Sequence, residues 1–153
     1  MSPKFTAAAA VGALALVVFS AAPARAGECP AGSVAPNAGP AGPSAPEGVT
    51  DTVIGAIDLS QQYNLPGRTF RMRRLVIQPG GVVPTHSHAE RPAHIYVVQG
   101  SIVEHRSNCA VPIVHKQGEV AVEAGNYSHW WKNTSKKTVV LLSSDLLPES
   151  PKP

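Results

Sequence analysis

Residues 80–88 read Gly80-Gly81-Val82-Val83-Pro84-Thr85-His86-Ser87-His88, directly after Pro79. Pro79-Gly80 is a turn signal, and the two valines beyond it favour extended backbone. Side chains alternate along a strand, so His86 and His88 project from one face. Two neutral imidazoles side by side are a natural pair of metal ligands.

Outward from this pair the chain alternates between short β-rich runs and turns. Upstream, Phe70 to Gln78 is β-branched in its second half and ends at Pro79. Downstream, Ile95 to Gln99 closes at Gly100, and Ser101 to Arg106 reads as the return strand of a hairpin. Val111 to Val114, Val120 to Val122, Tyr127 to Lys132 and Thr138 to Leu142 follow, separated by turns at Lys116-Gln117-Gly118, Gly125-Asn126 and Asn133 to Lys137. Turns every eight to twelve residues without sustained helical periodicity predict an all-β barrel or sandwich. Gln61 to Pro66 is a polar loop. Arg71-Met72-Arg73-Arg74 is the one basic cluster, and its default reading is a solvated strand face.

A third histidine stands forty-one residues beyond His88, in His129-Trp130-Trp131-Lys132-Asn133. Together the two islands resemble the two sequence motifs of the cupin family. The first is Gly80, five residues, His86-Ser87-His88 and a closing Gly100; the second is Gly118, ten residues, His129, three residues and Asn133. The resemblance covers residues 68–147. It implies a cupin-type double-stranded β-helix, or jelly-roll barrel, with a metal at its mouth. It puts His86, His88 and His129 in the metal-binding positions, for a divalent ion such as Fe, Mn, Ni, Cu or Zn. The family's fourth ligand, a glutamate seven residues before the closing glycine, is replaced here by Ala93. Glu90, in the loop after His88, is the substitute within reach. In the second motif Ala124 and Asn126 stand where the family has proline and glycine. Asn tolerates left-handed backbone, so the turn should survive.

Tyr127, His129 and Trp131 share parity, which predicts an aromatic wall beside the metal if His129 faces the pocket. Asn133 keeps its motif register and is placed with Trp131 at the pocket. His94, His105 and His115 take packing or surface roles by default.

Residues 1–26 read as an export signal: Lys4, an apolar run from Ala7 to Phe19, and a small-x-small site at Ala24-Arg25-Ala26. That run is too short to span a bilayer comfortably, so no membrane span is expected after cleavage. The destination is periplasmic or extracellular. Removing residues 1–26 leaves 11 basic and 10 acidic residues, which gives nucleic-acid binding little support. Residues 27–48 are rich in Pro, Gly and Ala and read as a linker, 49–148 as the barrel and 149–153 as a polar tail. Export to an oxidising compartment makes a disulfide between Cys29 and Cys109 the favoured state of the two cysteines.

Two functions follow from these expectations. One is an enzyme performing metal-dependent chemistry on a small organic molecule, with dioxygenase-type oxidation leading and Glu90, Arg91 or Tyr127 orienting substrate or moving protons. The other is a periplasmic module that binds a metal or small ligand without turnover. The resemblance also leaves room for a homodimer.

Overall fold

The computed structural model describes residues 28–149. The expected export signal and most of the polar tail lie outside them. Among the described residues are six strands: β1 Glu47–Asp58, β2 Arg68–Gln99, β3 Ser101–Arg106, β4 Ile113–Lys116, β5 Val120–Lys132 and β6 Val139–Pro148. The all-β expectation holds.

Pro79-Gly80 does not end a strand, as the sequence suggested; extended pairing continues through it in β2. Gly80 takes the bend in left-handed backbone (φ 79°), and its amide donates to the Asn133 carbonyl. The bend brings the two ends of β2 to opposite sides of β6. Arg68 to Ile77 pair with one edge of β6 and Ala93 to Gln99 with the other, both antiparallel. β1 flanks the first half of β2, while the middle and second half pair with β5. β5 then pairs with β3, and β3 with β4.

Register fixes what faces inward. Directly paired residues share a sheet face. One row reads Arg71, Asp145, Ala93, Glu123; two residues along the strands the next reads Arg73, Ser143, Ile95, Ala121. Leu75, Leu141 and Val97 continue inward and join Ile77, Ile102 and Val139 in a buried apolar core. Each such side chain contributes roughly 1.5–3 kcal/mol when fully buried. One end of the barrel is therefore apolar and the other polar. The same alternation corrects the reading of the basic cluster. Arg71 and Arg73 turn inward and both reach Asp145, whereas exposed Met72 faces out.

The Pro/Gly/Ala-rich segment runs along the barrel. It has a 3-10 turn at Ala31–Ser33 and a single bridge from Val34 to Cys109. Ala35 and Gly39 amides donate to the Asn108 and Ser107 carbonyls, and Thr85 donates to Pro43. It adheres by backbone hydrogen bonds and close approach, not by bulky apolar side chains. A Cβ at Gly39 would collide with the Arg106 carbonyl, and one at Gly42 with the Trp130 ring. Cys29 and Cys109 form a disulfide with a Cα–Cα distance of 5.8 Å.

Candidate metal centre

His86 pairs across the sheet with His129, and His88, two residues on, sits where β2 and β5 lose simple register. The irregularity at Gly125 to Tyr127 (Gly125 φ 101°) answers the motif's altered turn. Val83 and Trp131 pair two residues along the same strands. The three imidazoles meet with ring centroids 4.4–5.0 Å apart.

Each ring has one nitrogen fixed by an acceptor. His86 Nδ1 donates to the Pro84 carbonyl at 2.8 Å, and His88 Nδ1 to the Arg91 carbonyl at 2.6 Å. His129 Nδ1 donates to Glu104 Oε1 at 2.6 Å. These acceptors require the proton on Nδ1, leaving every Nε2 a bare lone pair. Trp131 Nε1 also lies 3.2 Å from His129 Nδ1, but with that proton given to Glu104 the contact packs the indole without setting the tautomer. His86 Nε2 is 3.1 Å from both His88 Nε2 and His129 Nε2. Lone pairs so close, with no proton between them, repel; a cation among them removes the conflict. Nitrogens about 2.1 Å from a shared ion stand about 3.0–3.4 Å apart at right-angled to tetrahedral geometry. The set therefore fits a divalent metal, and these three histidines could hold one. Burial lowers the pKa of His86 to about 4 and of His88 to about 3, so both are neutral ligands at pH 7.

Behind His129 lies a second layer that sequence reading missed. Glu104, fully buried, accepts from His129, from Arg106 Nε at 2.6 Å and from His115 Nε2 at 2.8 Å. Burial raises its pKa, but the hydrogen bonds from His115, His129 and Arg106 outweigh that and hold the carboxyl well below its usual range. Glu123 accepts from Tyr127 at 2.9 Å and from Arg106 at 3.3 Å; burial and the Glu104 charge push it up. His115, expected to take a packing or surface role away from the motifs, is fully buried and stacks on Trp131. A signal for this layer existed: Ile102, Glu104 and Arg106 share parity on one strand, so the two charged residues lie on the same, core-facing side of β3 as the isoleucine.

The remaining expected residues divide. Trp131 and Arg91 line the groove onto which the triad opens, a cavity of about 310 Å³. Glu90 does not join the triad: it is exposed in a separate depression with Ser87 and Leu147, and its carbonyl accepts from Arg68. Glu90 lies within β2, where pairing with β5 is interrupted between His88 and Ala93, and its side chain is carried outward while His88 points in. Tyr127 does not line the groove either. The register break turns it onto Glu123 and under Arg106, so the aromatic wall is Trp131 alone. Asn133 is a lock for the β2 bend, its Nδ2 donating to the Ile77, Gln78 and Lys137 carbonyls. Trp130 faces away, stacked on His105 and donating to the Pro40 carbonyl. Ala93 is buried between Asp145 and Glu123, and both carboxylates are engaged elsewhere.

The model of the cupin domain matches residues 73–145, which hold all three histidines and the larger part of the β6 strand that closes the barrel. Residues 73–145 form a cupin domain. Solved cupins share its fold. A predicted oxalate decarboxylase from Thermotoga maritima superposes with TM-score 0.54 at 20% identity, over 78% of this chain and 98% of the other. The cupin domain of Schizosaccharomyces pombe Cnp3 gives 0.53 at 15%, over 65% of each chain. The cupin domain of an XRE family transcriptional regulator from Enterobacter cloacae gives 0.50 at 15%, over 69% and 100%. At these identities the likeness is one of fold. No curated protein matches the chain.

Proposed function

We propose that this cupin is an exported, metal-dependent enzyme acting on a small organic molecule, with oxidation of dioxygenase type as the leading chemistry. One observation carries the reading. The three Nε2 lone pairs open onto a groove of about 310 Å³, while alanine fills the position of the family's fourth ligand. A closed four-ligand shell suits storage or structure; three ligands with open positions suit catalysis. A divalent ion held there supplies Lewis acidity and, if redox-active, electron transfer to a molecule in the groove. The protein does the rest. Carbonyls of Pro84 and Arg91 and the Glu104 carboxylate hold the three tautomers, which orients the rings before any ion arrives. Trp131, Leu75 and Ile95 keep one wall dry. The Cys29–Cys109 disulfide supports the oxidising destination.

The test is elemental analysis of the chain from Gly27, purified from its native compartment, beside His86→Ala and His129→Ala. Near-stoichiometric iron, manganese, nickel or copper, lost in both variants, is the expected result and leads to an oxygen-uptake screen. A wild-type protein without metal would overturn the reading.

A further inference from the structure

The groove carries more positive charge than its own carboxylates balance. Its lining includes Arg73 and Arg91, and Asp51 is the one acid on its wall. Asp145, immediately behind, is shared by three arginines: Arg71 takes both of its oxygens, and Arg73 and Arg91 take Oδ2. Arg73 also pairs with Asp51, yet its buried Nε has no partner among the described residues. Three guanidinium groups thus face two carboxylates, leaving one net positive charge beside the three imidazoles. Any divalent ion in the triad raises that excess further. Arg73 and Arg91 are mostly buried, at 15% and 19% side-chain exposure, so solvent screens the excess poorly. The rest of the groove is apolar: Val49, Leu75, Val83, Ile95 and Leu141 line it, with the Trp131 ring at the metal end.

We propose that the ligand of this groove is a small monocarboxylate with an apolar or aromatic body. Its carboxylate takes the unspent guanidinium N–H groups of Arg73 and Arg91, and its body lies on Trp131, Leu75 and Ile95. Guanidinium groups match carboxylates in shape as well as charge. The size agrees. A cavity of about 150 Å³ admits benzene, and this one, at about 310 Å³, has room for a ring and its acid group. This specifies the substrate class of the enzyme proposed above and rests on that reading for turnover, but not for binding.

The experiment is calorimetric titration of the metal-loaded chain from Gly27, disulfide intact, with benzoate and benzamide. Wild type, Arg91→Gln and Arg73→Gln are compared, with metal content and melting temperature read for each. Benzoate should bind at least tenfold tighter than benzamide. Each substitution should cost benzoate tenfold or more and leave benzamide and metal content unchanged. Arg73→Gln strips partners from two aspartates and can unfold; Arg91→Gln, with one ion pair, keeps the test decisive. Equal binding of acid and amide, or full benzoate affinity in Arg91→Gln, would overturn the assignment. Benzoate binding to a wild-type protein that takes up no metal would uphold it while removing the proposed catalysis.

Discussion

Two polar layers stand back to back in this barrel, joined through one imidazole. In the inner layer, Glu104, Arg106, Glu123, Tyr127 and His115 donate and accept among themselves. In the outer layer, three Nε2 atoms aim lone pairs at one another and at the groove. Both are built from buried titratable groups, but the inner one leaves a single nitrogen, His115 Nδ1, without a partner, whereas in the outer one every Nε2 faces another lone pair. His129 belongs to both, with Nδ1 committed inward and Nε2 outward. The contrast separates residues that hold the protein together from residues kept for a ligand. Burial alone does not make that distinction; the count of satisfied lone pairs does.

The largest test breaks the inner layer. Glu104→Ala takes from the Arg106 cation the carboxylate that accepts its Nε at 2.6 Å and removes the partner of two histidines. Loss of one member of a buried ion pair costs about 3–5 kcal/mol. Chemical denaturation of the metal-free protein should show a drop of that order, with failure to fold as its extreme; an unchanged midpoint would deny the layer its structural role. Glu104→Gln sharpens the comparison, because the amide can keep the shape but not the charge. It should weaken metal affinity about 10–100-fold, the usual effect of altering a ligand's own partner, with a smaller change in folding. Competition with a chelator would read it.

Next comes pH. His86 and His88 have folded pKa values of about 4 and about 3, below their unfolded value, because burial penalises the imidazolium. The unfolded chain therefore takes up protons first as pH falls. Their contribution is fully present above about pH 6.5, shrinks between there and about pH 4, and is lost below the folded values. Melting of the metal-free protein should decline across that window. The slope should flatten in His88→Ala. The smallest effect falls on the outer layer: metal-free His86→Ala should stay within about 1 kcal/mol of wild type, since the ring lines an open groove and its removal relieves crowded lone pairs. A loss as large as that of Glu104→Ala would erase the distinction between the layers.

The outer layer was the legible one. His86, His88 and His129 carry their roles in alternation and motif spacing, and the structure brings them together. Trp131 followed from parity with His129. Parity failed at Tyr127, because the irregular pairing between Ser87 and Ala93 and opposite Gly125 breaks the two-residue period that the argument needs. Proximity in sequence failed at Glu90, because the break in pairing between His88 and Ala93 interrupts the alternation that would have turned it with His86 and His88. The inner layer was missed for another reason. Charged residues on a strand read as solvated, and only their parity with Ile102, or of Arg71 and Arg73 with Leu75 and Ile77, marks them as core-facing.

The position of β6 has a consequence for the order of assembly. The strand made last is the one laid between the two ends of β2, and it supplies Leu141, Ser143 and Asp145 to the interior. Until residue 148 is available, Arg68 to Ile77 and Ala93 to Gln99 have no common neighbour, and Arg71, Arg73 and Arg91 have no shared counter-ion. Closure over such sequence distances is slow, since chain entropy is spent before contacts return it. A chain threaded from its N-terminus through a narrow pore would thus stay open until β6 had come through, and would lock only then.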